Sequence, residues 1–539
     1  MIPGYLFVLV PIAFGTSLFF TNSRLAKRGV IIFQLALILA SLYNFTKLRV
    51  MESHAFIETF ARWDRIIGIS LKWDVVSSLF VMLTAGLFFF LFLFDYRGEH
   101  VDQLFLMLLC TLQGLIIGIF LAHDFFNVFI LYEVATILVS ILIMFRKDKQ
   151  SVYDGIFYLL TNLVAMTLFL FGIALLYRML GVLDFAVTKE QMALLSDRRA
   201  LILPYAFLVT ALSLKIAILP LFSWLPRAHA TPSAPSTVSA LLSGLFVKSS
   251  LYLFFRIRNI FDPFLDLTEL FLILGWLTAF FGALLALSQK DIKLILAYST
   301  VSQLGLITFG LSLNQDLAFW GAIYHILNHA IFKSTLFLSA GIISEIYRTR
   351  DIERIRGVGK GMPLVAVGTI FAILGVTGAP FFSGSMSKYW IASSAKDNLT
   401  TLGIYLANFG TITCFIRYSR IFFGVQKNSE NSSCSPWKIQ HVVVFVMGLF
   451  SLFGGLFARE LIILFFAKQL PVDPLSYLQK TVIFFASFIG GFFVLRAIER
   501  TGILKKIREL DLSFNSVAAF MFLFFSMSFL YLTLKYASL

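Results

Sequence analysis

The stretch YHILNHAIFKSTLF (324–337) sets His325, His329 and Lys333 four residues apart. On a helix that spacing stacks all three on one face, in a ladder about 12 Å long. Histidine changes charge near neutral pH, so two of them beside a lysine can pass a proton along a helix. Histidines at i and i+4 can also grip zinc, but the neighbouring sequence offers no evident third ligand, and no metal is expected. Three more ionisable residues interrupt apolar sequence. Glu133 lies in FILYEVATILVSILIMF, Lys215 in SLKIAILPLFSWLPRAH and Lys248 in LLSGLFVKSSLYLFF. One acid and two lysines exceed what a single register-fixing ion pair requires, although such a pair is the competing reading. In a low-dielectric interior these groups titrate as a coupled set, and each proton's location depends on the neighbouring charges.

The elements that carry these residues are set by composition. The 539 residues are 59% hydrophobic and 14% charged. Continuous apolar runs of about 18 residues or more span a bilayer as helices, whereas barrel strands alternate. Roughly 16 such runs are present, with an error of about two. In the first half they are Ile2–Phe20, Val30–Phe45, Val75–Phe94, Leu104–Ala122, Phe125–Phe145, Ile156–Leu176, Leu201–Phe222 and Val238–Phe255. In the second half they are Leu265–Leu287, Ile292–Leu313, Leu317–Ile343, Pro363–Pro380, Ile404–Phe423, Val442–Phe457, Val482–Ile498 and Val517–Leu534. Leu461–Leu470 is short enough to be interfacial. Ile2–Phe20 lacks a basic flank and a small-residue cleavage site, so it reads as a span rather than a signal peptide. The expected fold is an all-α polytopic membrane protein with about 14–16 transmembrane helices.

The net charge of +15 does not indicate nucleic acid as a partner. The basic residues sit in loops, as the positive-inside rule requires. Arg24, Lys27 and Arg28 follow the first run, and Arg146, Lys147 and Lys149 the fifth. Arg348, Arg350, Arg354, Arg356 and Lys360 follow the eleventh. Arg496, Arg500, Lys505, Lys506 and Arg508 follow the fifteenth. These odd-numbered loops read as cytoplasmic, which places both termini outside a cell (inner) membrane. Lys293, Lys396 and Arg417 read as snorkelling side chains near helix ends. Cys110, Cys414 and Cys434 have no cluster, zinc or haem spacing, and no glycine-rich phosphate loop follows a strand. No cofactor is expected, and neither redox chemistry nor ATP hydrolysis is expected within this chain. Transport remains, with a passive scaffold as the bland alternative.

Proline interrupts two of the apolar runs. PLFS at Pro220–Ser223 and PFFS at Pro380–Ser383 repeat one pattern, with Lys215 before the first and Lys388 after the second. Broken helices persist in lipid only where they are buried in protein or line a cavity. At matching places in two halves they point to an internally repeated transporter. The break supplies polar backbone, and a lysine nearby can use it.

With these landmarks the chain resembles the antiporter-like subunits shared by Mrp-type cation/proton antiporters, respiratory complex I and membrane-bound hydrogenases. The resemblance is carried by LYEVATILVSIL, LKIAILPLFSWLPRAHATPSAPSTVSALLSG, QKDIKLILAYSTVSQLG, HILNHAIFKSTLFLSAG and PFFSGSMSK, from about Asp124 to Lys388. It implies two inverted five-helix repeats and a central hydrophilic axis in the membrane plane. The implied divisions are 1–103, 104–258, 259–424 and 425–539. It implies that Glu133 and Lys215 form an essential carboxylate–lysine pair. Lys248 is then a connecting residue, His325 and His329 the central relay, and Lys388 the distal lysine; Lys333 joins the expected relay as the third rung of the ladder, on spacing alone. His229, Asp291 and Lys293 are secondary candidates. Three positions depart from the usual pattern: Arg227 stands where many members have Asp, Gln303 where His is common and Asp154 where Lys is usual. Only Glu499–Ser513 joins the last two runs, too short for the long lateral helix of one complex I member. The expected function is proton translocation within a multi-subunit Mrp-type Na+/H+ antiporter. The expected partners are other membrane subunits, protons, Na+ and the lipid bilayer. Redox-driven pumping in a complex I-like or hydrogenase assembly is the runner-up, and an inorganic-carbon uptake complex a third reading.

Overall fold

The computed structural model describes residues 1–21, 23–66, 68–98, 101–230, 234–395, 397–424, 438–508 and 514–537. Lys396 and Cys434 lie outside the described residues. Among the described residues the regular structure is helical apart from one two-stranded hairpin. The first half contains α1 (Gly4–Phe19), α2 (Ser23–Val50), α3 (Val75–Asp95), α4 (Gln103–Leu121), α5 (Phe125–Ile143), α6 (Lys149–Leu180), α7 (Phe185–Ala193), α8 (Ile202–Ile216), α9 (Trp224–Ala230), α10 (Ser236–Leu241) and α11 (Val247–Phe261). The second half contains α12 (Thr268–Ser288), α13 (Ile292–Ser312), α14 (Asp316–Tyr347), α15 (Val358–Gly361), α16 (Pro363–Thr377), α17 (Ser383–Ser393), α18 (Asn398–Tyr418), α19 (Ile439–Leu456), α20 (Ala458–Phe466), α21 (Pro474–Thr501), α22 (Ile503–Arg508) and α23 (Phe514–Lys535).

Among the described residues, thirteen helices are long and apolar enough to cross a membrane, and α1 and α16 are shorter apolar helices. Together with α18, these cover every apolar run read from the sequence. Two runs end earlier than expected. Leu201–Phe222 stops being helical at Ile216, and Pro363–Pro380 stops at Thr377. A hairpin between α2 and α3 was not foreseen: β1 (Ala55–Thr59) pairs antiparallel with β2 (Ser70–Asp74), Ala55 opposite Asp74.

Aspartate starts many of the helices. Asp74, Asp102, Asp124, Asp148, Asp184, Asp291, Asp397 and Asp473 each accept a backbone N–H in the first turn of the following helix. A carboxylate there satisfies amides that have no intrahelical partner and suits the positive end of the helix dipole.

The chain forms two compact units. The first comprises Met1–Ile216, Leu245–Leu267 and Phe514–Leu539, and the second Ala217–Gly244 and Thr268–Ser513. In the first unit, α1 lies along α4 and α6 along α8. In the second, α12 and α13 pack most extensively, with α14 against α13, α16 and α17. Gly305 makes the α12–α13 approach possible, since a Cβ there would run into the backbone of Gly275 and Ala279.

Among the described residues, a backbone clasp of the same form occurs in each unit. In the first, Phe125 N–H bonds Leu183 C=O (3.1 Å) and Phe185 N–H bonds His123 C=O (2.9 Å), pairing Asp124 with Asp184. In the second, Ile292 N–H bonds Arg350 C=O (2.9 Å) and Ile352 N–H bonds Lys290 C=O (2.9 Å), pairing Asp291 with Asp351. The two clasps are 167 residues apart (124 to 291, 184 to 351). Between them lie helices of equal length, since α6 and α14 each have 32 residues.

Candidate functional site

In the first unit, Lys215 is the penultimate residue of α8 and is buried. The helix stops one residue later because Ala217 takes a left-handed φ of 64°. Lys215 Nζ donates to Thr136 Oγ1 at 2.8 Å and sits 5.2 Å from the centre of the Tyr132 ring and 5.7 Å from that of Phe246. Glu133 is half-buried on α5, one turn from Thr136. Among the described residues Glu133 makes no ion pair with Lys215, although each is close enough to feel the other's charge. The expected carboxylate–lysine pair is therefore a neighbourhood rather than a contact, with a hydroxyl holding the ammonium. Lys248 is fully buried on α11, just after the π-helical turn Leu242–Phe246. Tyr132 Oη donates to Ser249 Oγ (2.9 Å), so α5 touches both the Lys215 ammonium and the residue next to Lys248.

In the second unit, His325 is fully buried with both ring nitrogens engaged. Nδ1 meets Ser387 Oγ at 2.8 Å, and Nε2 meets Gln303 Oε1 at 3.1 Å. Gln303 Nε2 in turn donates to Thr411 Oγ1 (3.3 Å), which leaves Oε1 as the acceptor facing the ring. Nε2 then carries a proton, and in the neutral ring Nδ1 accepts from the Ser387 hydroxyl. When the ring is doubly protonated, Nδ1 donates instead, and the hydroxyl can turn to the Ser383 or Gly384 carbonyl, each 3.3 Å away. Both charge states keep their hydrogen bonds, which suits a group that gains and loses a proton. The His325 and His329 rings are 6.2 Å apart, and His329 is also fully buried, with Phe332 at 5.2 Å. Lys333 continues the face. Its Nζ donates to Leu296 C=O (3.2 Å) and Ser299 Oγ on α13, and it lies 5.6 Å from the Phe415 ring.

The second break positions Lys388. Here α16 ends at Thr377, with Gly378 at φ 76° and Phe381 at φ 68°, and α17 restarts at Ser383. Pro380 lies inside this break and Pro220 inside the first. Lys388 Nζ donates to Val376 C=O (2.7 Å), near the open end of α16, and to Asn408 Oδ1 (2.7 Å) on α18. The sequence SGSMSKYWIAS is polar enough that no helix was expected there. It nevertheless supplies both Ser387 for His325 and Lys388 itself.

The secondary candidates are placed differently. Asp291 caps α13, accepting from Lys293 N (2.8 Å) and Leu294 N (3.2 Å), and pairs with Arg350 at 2.5 Å. Lys293 is buried and donates to Ala234 C=O (3.1 Å), so the snorkelling reading is corrected. Arg417 is corrected likewise: it is buried and donates to Leu287 C=O (2.5 Å) and Gln289 C=O (2.8 Å) at the end of α12. His229 is fully buried and stacks on Phe337 at 4.6 Å. Two buried polar features escaped the sequence reading. Gln34 and Gln113 exchange hydrogen bonds between α2 and α4 (2.7 and 2.8 Å), and Lys480, near the start of α21, donates to Ser385. A lone glutamine in each run was the available signal for the first. Lys480 lay just outside the apolar run that marked its helix. Among the described residues no three His, Cys, Asp or Glu side chains gather around a common point.

Outside the spans, His123 and Asp124 sit in the short connection between α4 and α5. Burial holds the His123 ring neutral down to about 4, against the opposing pull of Asp184. Burial likewise pushes the Asp124 carboxyl up to about 6, although the Asn127 and Ser70 amides stabilise its charge.

Residues 122–414 match the family described as NADH:quinone oxidoreductase/Mrp antiporter, TM. The chain is 30% identical over 492 residues to the D-type subunit of the Na(+)/H(+) antiporter of Alkalihalophilus pseudofirmus, covering 88% of this chain and 98% of that one. It is 31% identical over 341 residues to the N-type subunit of the NADH-quinone oxidoreductase of Desulforudis audaxviator, covering 61% and 67%. Its fold is similar to a chain of the Mrp complex from Dietzia sp. DQ12-45-1b, with TM-score 0.78, 24% identity, and 89% and 99% coverage. A chain of the archaeal membrane-bound sulfane sulfur reductase superposes with TM-score 0.79 and 23% identity, over 90% and 99%. The broken helices, the buried lysines and this match over more than half the chain agree: the protein is a polytopic membrane member of the NADH:quinone oxidoreductase/Mrp antiporter transmembrane family.

Proposed function

We propose that this chain is the proton-translocating D-type subunit of a multi-subunit Mrp-type cation/proton antiporter. One observation carries the reading. Lys215, Lys333 and Lys388 are buried on neutral acceptors, namely hydroxyls, carbonyls and an amide, with no carboxylate in ion-pair reach among the described residues. A buried structural charge needs an opposite charge, whereas a proton carrier needs acceptors that serve both its charged and neutral forms. Glu133, Lys215 and Lys248 then form the relay of the first unit, and His325, His329, Lys333 and Lys388 that of the second. The two clasps support a division into two repeats. The loop charges support both termini outside a cell membrane. Other membrane subunits are the natural partners, because relatives of this chain are subunits of larger complexes.

Antiport is favoured over redox-driven pumping by the extent of the sequence alignments, since the fold matches a chain of an Mrp complex and one of a respiratory complex equally fully. The match to the antiporter relative extends over 98% of its length, and the match to the oxidoreductase relative over 67%. The test is Na+-dependent proton movement in inverted membrane vesicles holding the assembled complex and no electron donor. Adding Na+ should dissipate an imposed proton gradient. Proton movement that appears only with an electron donor and a quinone would overturn antiport in favour of redox pumping.

A further inference from the structure

The short helix α17 gathers three polar connections on neighbouring turns, and only two belong to the relay described above. Ser387 meets His325, and Lys388 meets Val376 and Asn408. The third runs from Ser385, one turn before Lys388, to α21, which lies beyond the second repeat. Lys480 Nζ donates to Ser385 Oγ at 3.0 Å and to the Ser385 carbonyl. Ser385 Oγ also shares a hydrogen bond with Tyr477 Oη at 2.9 Å. Lys480 is 8% exposed and lies 5.5 Å from the centre of the Tyr477 ring. Tyr477 is half-exposed, four residues from the exposed Asp473 that caps α21. The same corner is closed by Tyr389, whose hydroxyl accepts from Asp473 N at 3.0 Å, and by Trp390, whose Nε1 donates to Pro471 C=O at 3.3 Å. A buried ammonium is thus joined by one serine hydroxyl to the phenol of a half-exposed tyrosine.

A structural lysine would have been cheaper as methionine, since burying an ammonium on neutral acceptors costs stability. We propose that Lys480 is a further proton-carrying residue, anchored on α17 one turn from Lys388, that exchanges protons with the face bearing the α20–α21 connection through Ser385 and Tyr477. This rests on the relay reading above. The step balances as a proton shift alone. An N–H bond of the Lys480 ammonium breaks as Ser385 Oγ takes that proton. Ser385 passes its own hydroxyl proton to Tyr477, and Tyr477 releases its proton to water. The net change is a neutral amine and a hydronium ion, and the same steps reversed load the lysine.

The test uses proton flux in vesicles holding equal amounts of assembled complex. Lys480→Arg and Lys480→Cys should each lower flux by at least about tenfold, the first because arginine keeps the charge but does not release its proton. Treating Lys480→Cys with bromoethylamine rebuilds an amine of lysine length and should restore flux, with the identically treated wild type as control. A lysine that only clamps Ser385 would be replaced by arginine with little loss, so near-normal flux in Lys480→Arg overturns the inference. Should Lys480→Cys fail to assemble, Tyr477→Phe decides. It removes only the hydroxyl and should lower flux several-fold, and unchanged flux overturns the path. Lys388→Ala separates the two levels. If it abolishes flux while the Lys480 variants conduct normally, only Lys480 is excluded. If Lys388→Ala itself conducts normally, the relay reading fails.

Discussion

Arginine in place of Lys215 separates a proton carrier from a structural cation. The Lys215 ammonium is held by Thr136 and lies over two aromatic rings. A guanidinium can keep the hydrogen bond and a ring contact worth about 0.5–2 kcal/mol. What it loses is the ability to deprotonate. Ordinary lysine titrates near 10.4 and arginine near 12.5–13.8, so a neutral arginine costs about 3–4.5 kcal/mol more than a neutral lysine. At tenfold per 1.4 kcal/mol, a transfer through that neutral form slows by about 10²–10³-fold. Lys215→Met controls for folding. It removes a buried charge that has a single hydroxyl acceptor, and an apolar chain of similar volume at such a place is often neutral or stabilising. Assembled protein should therefore be preserved in Lys215→Met while flux falls as far as in Lys215→Arg. The assay is dissipation of an imposed proton gradient, read with a pH-sensitive dye, in inverted vesicles matched for assembled complex. Flux in Lys215→Arg within about twofold of wild type would refute proton release from this position.

His325→Ala leaves Gln303 Oε1 without its ring partner, at a cost of about 1–3 kcal/mol, while the Ser387 hydroxyl keeps the Ser383 and Gly384 carbonyls, and it should slow flux without preventing assembly. His329→Ala should do the same, and normal flux in both assembled variants would reduce the ladder to packing. Asp291→Ala removes a helix cap, so it should destabilise by about 1 kcal/mol or more yet leave flux per assembled molecule unchanged. Lost flux at full assembly would return Asp291 to the relay. A cysteine at the exposed Arg354 should react with an impermeant thiol reagent only from the cytoplasmic side, and one at Asn314 only from outside; reversed labelling inverts the orientation. His123 and Asp124 make opposite pH predictions for thermal unfolding of the purified protein. The folded His123 value is depressed to about 4, so its contribution is complete above the ordinary value near 6.5 and is lost as pH falls towards 4. The folded Asp124 value is raised to about 6, so its contribution is complete below about 3.8 and is lost as pH rises through 6. His123→Asn should flatten the first dependence, and Asp124→Asn, which retains a capping oxygen, the second. Unchanged profiles would show that neither group is desolvated as described.

The helices were legible because apolar length decides them, and the breaks at Pro220 and Pro380 because proline decides those. The partners were not legible, since they come from far along the chain. Thr136 is 79 residues from Lys215, and Asn408 is 20 from Lys388 on another helix. The reading of Lys293 and Arg417 as snorkelling failed for one reason. A cation near a helix end can turn outward to water or inward to the open carbonyls of a neighbouring turn. Sequence position is the same in both cases, and only packing chooses. The half-helix Ser383–Ser393 was missed because serine, glycine and lysine suppress the apolar signal, yet those are the residues that make it a hub.

The clasps explain why one scaffold can hold two different sets of chemistry. Asp124 and Asp291 fix the starts of α5 and α13, and Asp184 and Asp351 anchor the chain after α6 and α14. The 32-residue helices between them can then vary inside. Shifted by the clasp spacing, His325, His329 and Lys333 on α14 correspond in sequence to Tyr158, Asn162 and Met166 on α6. Two of those three are polar, but none titrates near neutral pH. The first unit instead places its cations on the break at Lys215 and after the π-helical turn at Lys248. The corresponding faces of the two long helices are thus both polar, but the titratable group on α6 is Asp154, one turn before Tyr158, where α14 carries the histidine pair and Lys333. Substitution of Tyr158 or Asn162 on α6 should perturb packing, and substitution on that face of α14 should perturb transport.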